Sequence, residues 1–85
     1  MSLSPERLQS IGAQAAKDVI GNVETVAVTS GFSEDGLPAY FFELNLSQDR
    51  DRARAALLRT RLRHKIRDLL LAEEDTKYPY IRILD

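Results

Sequence analysis

The sequence predicts an α+β domain with two layers, in which two helices pack on one face of a three-stranded mixed sheet in the order α-β-β-α-β. Segments 4–20 and 49–73 repeat apolar residues every three or four positions, the period of an amphipathic helix. Segments 23–32, 39–46 and 80–84 are rich in β-branched and aromatic residues, which favours strands. Helices on one side of a sheet complete a two-layer domain.

The first helix has clear boundaries. Ser4 can cap its start, Pro5 suits its first position, and Leu3 can pack on Leu8 as a hydrophobic staple. Gly21 supplies the left-handed residue that ends it. The predicted apolar face consists of Leu8, Ile11, Ala15, Ala16, Val19 and Ile20.

A β-hairpin follows. Residues 33–36, Ser-Glu-Asp-Gly, are turn formers between two alternating segments. Phe41 has the parity of the opposite, uncovered face, beside Glu43 and Asn45. The residues predicted to face the helices are Val26, Val28 and Phe32 in the first strand and Tyr40, Phe42, Leu44 and Leu46 in the second.

The long helix, Asp49 to Glu73, carries the most unusual charge distribution. Residues 52–67 contain seven Lys or Arg and no acid, so no ion pair within that interval can offset the charge. Ser47 or Asp49 can cap its start. The acidic residues 73–75 are unfavourable at the negative end of the helix dipole, which predicts that the helix ends there in a solvated turn. Its buried stripe consists of Ala55, Leu58, Leu62, Ile66, Leu69 and Leu70. Arg52, Arg59, Arg63 and Arg67 flank one side of the stripe, and Arg54, Arg61 and Lys65 flank the other.

The last segment, residues 80–84, predicts a strand with Ile81 and Ile83 on the core side. Pro79 cannot donate to a ladder, so it belongs at the start of the strand or on a free edge. A right-handed crossover through the long helix makes this strand parallel to the second one. The sequence leaves open whether it pairs with the first strand or the second.

Composition limits the chemistry. The 85 residues predict a single domain, 1–85, of net charge −1, without cysteine. We expect no enzyme, metal or cofactor: His64, the single histidine, lies among arginines, and no nucleophile motif surrounds Ser30 or Ser33. No apolar run is long enough to span a membrane and no signal peptide is evident, so the expected location is cytoplasmic.

The leading functional interpretation is a small regulatory or protein-interaction domain that binds another protein, including a second copy of itself. Its candidate face is the uncovered side of the sheet, around Phe41, Glu43, Arg82 and Leu84. Tyr78-Pro79-Tyr80 is either a recognition patch or the edge of the core. A thin seam opposite the buried stripe of the long helix is another possible contact; it consists of Ala53, Leu57, Thr60, His64 and Leu71.

The alternative is an RNA- or DNA-binding domain that uses the Arg-rich helix, 50–67. Arg52, Arg59, Arg63 and Arg67 would then contact phosphates. The competing structural explanation is that these side chains cover the edges of the apolar stripe, with charged ends in water or paired with acids. The near-neutral total charge and the lack of aromatics in the helix favour that explanation.

The predicted element order resembles, in topology, the cytosolic domains of cation-efflux transporters and the ribosome-binding factors with a type II KH-like fold. The first group implies metal-binding histidines and acids, whereas His64 is the single histidine here. The second implies an Ala-x-Gly kink, and residues 54–71 contain no glycine. The resemblance is therefore one of topology and assigns no role to any residue.

Overall fold

A computed structural model describes residues 3–21, 23–46 and 52–84. The predicted α+β class and element order are confirmed: two helices pack with a three-stranded mixed sheet. The elements are α1 Pro5–Val19, β1 Val23–Phe32, β2 Pro38–Leu46, α2 Ala55–Ala72 and β3 Tyr78–Leu84.

The sheet has the strand order β1-β2-β3, so β2 is central and β3 lies at an edge. β1 pairs with β2 antiparallel, and β2 pairs with β3 parallel. This order answers the question that the sequence left open, and it accommodates Pro79 in an edge strand. One row across the sheet joins Val28, Phe42 and Ile81 on the core side, and the next joins Thr29, Phe41 and Tyr80 on the other side.

The boundaries of α1 match the sequence prediction. Ser4 precedes Pro5 and accepts a hydrogen bond from the Arg7 backbone N–H at 3.2 Å. Gly21 has φ +98°, the left-handed conformation expected after the helix. Leu3 packs against the core, as the staple requires.

The core fills the space between both helices and one face of the sheet. Phe42, at the centre of β2, is fully buried, and Val26, Val28 and Ile81 pack around the buried cluster. Both helices contribute to this one cluster, so neither α1 nor α2 covers the opposite face of the sheet. The buried cluster consists of Leu8, Ile11, Ala15, Ala16, Tyr40, Phe42, Leu44, Leu62, Ile66 and Leu70.

The sequence predicted one continuous long helix from Asp49, and this prediction was wrong. Residues 52–53 are helical, Arg54 is a turn, and α2 begins at Ala55. The Arg52 side chain donates a hydrogen bond to the Leu46 carbonyl, which ties this segment to the end of β2. The predicted caps, Ser47 and Asp49, lie outside the described residues.

Phe32 was predicted to face the helices, but 72% of it is exposed. Its parity is that of Val26 and Val28, yet it pairs with Pro38 at the end of the hairpin, where the core has ended. Alternation predicts which face of the sheet a side chain lies on, but it does not show how far along the strand the helices cover that face.

Gly12 allows close packing between α1 and the sheet. A Cβ at this position would lie 3.0 Å from Val26 Cγ1 and 3.1 Å from Phe42 Cδ1. We expect Gly12→Ala to lower the free energy of unfolding by about 1 kcal/mol, because overpacking outweighs the helix-propensity gain of about 1 kcal/mol. Urea denaturation measures this, and Ser10→Ala, on the exposed side of α1, should instead be slightly stabilising, because it raises helix propensity without overpacking. Stabilisation by Gly12→Ala would show that the neighbouring side chains move aside.

Candidate functional surface

The uncovered face of the sheet carries a continuous aromatic row, which consists of Phe41, Tyr80 and Tyr78. The rings of Phe41 and Tyr80 are stacked, with centroids 5.4 Å apart, and Tyr78 meets Tyr80 edge-on at 4.8 Å. Tyr80 is 41% exposed and Tyr78 38%. The three rings pack against one another, so they form one continuous apolar surface with two hydroxyl groups.

The structure brings together the four residues that the sequence assigned to this face. Phe41 pairs with Tyr80, Glu43 with Arg82, and Asn45 with Leu84 across the β2–β3 ladder. Arg82 Nη1 lies 3.8 Å from Glu43 Oε2, an exposed ion pair next to the aromatic row. The face therefore has an apolar part, the aromatic row, and next to it a charged part, the pair of Glu43 and Arg82.

The sequence named Tyr78-Pro79-Tyr80 as either a recognition patch or the edge of the core, and the parity of Tyr80, which equals that of Arg82 and Leu84, already placed it on this face. It did not predict that Leu37 contributes to the candidate surface. Leu37 is 64% exposed at the tip of the hairpin, and no alternation in that loop predicts its position. An open cleft of about 540 Å³ links Leu37 to Tyr78 and Tyr80, so the apolar surface extends from the aromatic row to the hairpin tip.

The Arg-rich helix presents different groups on its two flanks. On the inner flank, Lys65 Nζ lies 3.6 Å from Asp18 Oδ2 of α1. On the opposite flank, the Arg67 guanidinium lies 5.7 Å from the centre of the Tyr78 ring. The second flank therefore faces outward, beside the edge strand β3.

Three residues of the candidate nucleic-acid face lie on this outward flank: Arg59 and Arg67 are exposed and Arg63 is half-buried. Arg52 precedes α2 and is fixed to the end of β2. Three acids of the described residues pair with cations outside α2: Glu43 with Arg82, Glu73 with Arg7, and Asp75 with Lys77. Among the described residues, no acid forms an ion pair with Arg59, Arg63 or Arg67.

The end of α2 places one carboxylate inside the protein. Glu74 has φ +60°, and the backbone N–H groups of Glu74 and Asp75 donate to the carbonyls of Leu71 and Leu70, the bonding pattern of a Schellman motif. The chain then turns inward, so Asp75 is only 4% exposed. The predicted solvated turn at 73–75 was therefore wrong for Asp75.

Asp75 is the centre of a buried network. The Tyr40 hydroxyl donates to Asp75 Oδ2 at 2.5 Å, the Lys77 backbone N–H donates to Oδ1 at 3.0 Å, and Lys77 Nζ lies 3.4 Å from Oδ1. Burial by itself would raise the pKa of Asp75, but the hydrogen bonds from Tyr40 and Lys77 outweigh it and hold that pKa below its usual value. Burial and the bond to Asp75 together raise the pKa of Tyr40.

This network connects β2 with the segment between α2 and β3, and we interpret it as a structural feature that stabilises the fold. The sequence offered one signal for it: a tyrosine at an inward position of a strand needs a partner for its hydroxyl group. It could not show which of the acids 73–75 supplies that partner.

The seam on the outer side of α2 is less continuous than the aromatic row. Leu57 and Leu71 are each 46% exposed, and the Thr60 hydroxyl donates to the Ala56 carbonyl of its own helix. His64 is exposed. Within residues 3–21, 23–46 and 52–84, no group of three His, Asp or Glu side chains is arranged to hold a metal ion. No helix in these ranges is long and apolar enough to cross a membrane.

Comparison of the chain with profiles of protein families, with curated proteins and with solved structures gives no match. Functional inference therefore depends on the surfaces described above.

Proposed function

We propose that this chain is a small, non-enzymatic protein-interaction or regulatory domain of the cytoplasm, and that it binds a second copy of itself through the uncovered face of the sheet. The aromatic row is the observation that carries this proposal. Three adjacent aromatic rings on a face without helices are typical of a contact surface, because aromatic residues are enriched where proteins meet.

The charges beside the row favour a second copy. A twofold axis between two such faces places the same patch against itself, so every contact occurs twice. Glu43 and Arg82 lie side by side on the face. Rotation of one copy can therefore place Arg82 against Glu43 of the other, so that opposite charges meet on both sides of the axis.

Self-association is tested by sedimentation equilibrium of the purified chain, with Tyr80→Glu as the variant. We expect the wild-type chain to form dimers. Tyr80→Glu should raise the dimer dissociation constant at least about thirtyfold, because it buries a charge and removes a central ring worth roughly 2 kcal/mol. Far-UV circular dichroism establishes that the variant is folded.

The matched control is Leu57→Glu, which introduces the same charge at an exposed apolar residue of α2, away from the uncovered face. It should leave the dimer unchanged. A wild-type chain that stays monomeric at all concentrations would remove the proposal. If Leu57→Glu dissociates the dimer and Tyr80→Glu leaves it intact, the interface is the seam on α2 instead.

A second candidate function is RNA or DNA binding by the outward flank of the Arg-rich helix. The observation that favours it is that Arg59, Arg63 and Arg67 have no ion-pair partner among the described residues. Phosphate groups would neutralise these charges with release of counterions, so binding would weaken steeply with salt. Titration with single-stranded RNA at about 50 and 200 mM salt tests it, and absence of binding at the lower salt would remove this candidate.

A further inference from the structure

β3 is an edge strand, and this position gives it a free hydrogen-bonding edge. It pairs with β2 on one side, and the described sheet contains no strand on its other side. Pro79 has no backbone N–H, so a pairing segment would begin at Tyr80. Free edges accept additional strands, from another chain as well as from the same one.

The outward flank of α2 lies beside this edge. We call Arg59, Arg63 and Arg67 the outer rail. A cleft of about 260 Å³ between α2 and β3 is lined by Arg59, Arg63 and residues 78–81. Arg67 reaches the ring of Tyr78. An extended segment next to β3 would therefore have the outer rail within reach along its length.

The spacing of the outer rail matches that of a strand. Residues four apart on a helix are separated by about 6 Å along its axis. Residues two apart on a strand, which share one face, are separated by about 6.6 Å. Acidic side chains at alternate positions of an added strand would thus meet successive arginines.

We propose that the free edge of β3 binds an extended acidic peptide segment as a fourth strand, with carboxylates at every second residue paired with Arg59, Arg63 and Arg67. Backbone hydrogen bonds to β3 supply the register, and the outer rail selects acidic over neutral or basic segments. The hydrogen-bonding edge of β3 is a different surface from the uncovered face, but the two adjoin at Tyr78 and Tyr80, which belong to the aromatic row and also line the cleft beside the outer rail.

The geometry favours a peptide over a nucleic acid at this site. A peptide can form hydrogen bonds with the backbone groups of the β3 edge and can also neutralise the arginines. A phosphate backbone can only neutralise the arginines. The aromatic pair Phe41 and Tyr80, on which bases could stack, lies on the other side of the sheet from α2. Tyr80 also borders the cleft beside the outer rail, so it is the backbone groups of the β3 edge, and not the position of the rings, that favour a peptide.

The test is fluorescence anisotropy with a labelled heptapeptide, Thr-Glu-Thr-Glu-Thr-Glu-Thr, at 50 and 200 mM salt. We expect saturable binding that weakens with salt. The double variant Arg59→Glu, Arg63→Glu should weaken it at least about tenfold, which corresponds to a loss of roughly 1.4 kcal/mol. The same variant should bind the peptide with Lys in place of Glu. The double variant Arg54→Glu, Arg61→Glu introduces the same charge change on the inner flank; it is the matched control and should change affinity less than about twofold.

Two further ligands separate backbone pairing from charge attraction in the unaltered protein. A heptapeptide of the same composition with its three glutamates adjacent should bind at least about tenfold more weakly. Peptides N-methylated at the glutamates or at the threonines should differ, because only one set of N–H groups faces β3. Equal binding of all these peptides, or no binding at 50 mM salt, would overturn the proposal. Tighter binding of single-stranded RNA of the same charge would assign the outer rail to nucleic acid instead.

Discussion

Replacing Asp75 by alanine is expected to lower the free energy of unfolding by about 3 kcal/mol. The carboxylate is buried and accepts hydrogen bonds from the Tyr40 hydroxyl and the Lys77 backbone. Tyr40 is only 1% exposed, so its hydroxyl would be left without an acceptor for its proton in a region that water does not reach. Urea denaturation with a circular dichroism readout measures the loss.

A double-mutant cycle with Tyr40→Phe identifies the source of that loss. Tyr40→Phe alone removes one donor and leaves Asp75 its contacts with Lys77, so we expect a cost of about 1 kcal/mol. In the double variant the unpartnered hydroxyl is absent, so its cost should be less than the sum of the single costs. Additive costs would show that the two side chains do not interact. Glu74→Ala, at the neighbouring exposed residue, controls for loss of a nearby acid.

The same network fixes the direction of the pH dependence. The pKa of Asp75 is lowered in the folded state, so its contribution is present above the pKa of the unfolded carboxyl and is lost as the pH falls through the lower folded value. The pKa values of Tyr40 and Lys77 are raised. Their contributions are present below their unfolded pKa values and are lost in alkali as the pH passes the folded ones. Asp75→Ala should therefore flatten the acid limb of the stability curve.

Replacing Phe42 by alanine is expected to cost about 4 kcal/mol, most of the stability of a domain of this size. Phe42 is fully buried at the centre of β2 and packs against Gly12 of α1. Truncation leaves a cavity where both helices meet the sheet, and the surrounding side chains can close it only in part. Thermal unfolding monitored by circular dichroism should show a largely unfolded chain or a strongly lowered midpoint.

Phe41→Ala is the matched control, because the two phenylalanines are adjacent on one strand and face opposite sides of the sheet. Phe41 is half-buried and stacks on Tyr80, so its loss should cost only about 1 kcal/mol of stability. It should instead weaken the proposed dimer. A dimer that survives Phe41→Ala, in a folded variant, would contradict the role assigned to the uncovered face.

The candidate surface was predictable only in part. The parity of Phe41, Glu43, Arg82 and Leu84 placed them on one face before any pairing was known, and the β2–β3 register brought them together. Parity cannot show how far a helix layer extends. Phe32 was therefore predicted to be covered by the helices, although it lies beyond them and is exposed. The aromatic row also depends on the order of the strands, because Phe41 and Tyr80 are neighbours only when β3 pairs with β2.

The sequence by itself determined the element order, the boundaries of α1, the hairpin and the buried stripe of the long helix, because these depend on periodicity and capping within a few residues. Only the tertiary structure decided that β3 lies at the edge, that the outer rail lies beside it, and that Asp75 is the acid that turns inward. These features join residues far apart in the chain, such as Tyr40 and Asp75. No local preference of either residue specifies such a contact; the packing of whole elements does.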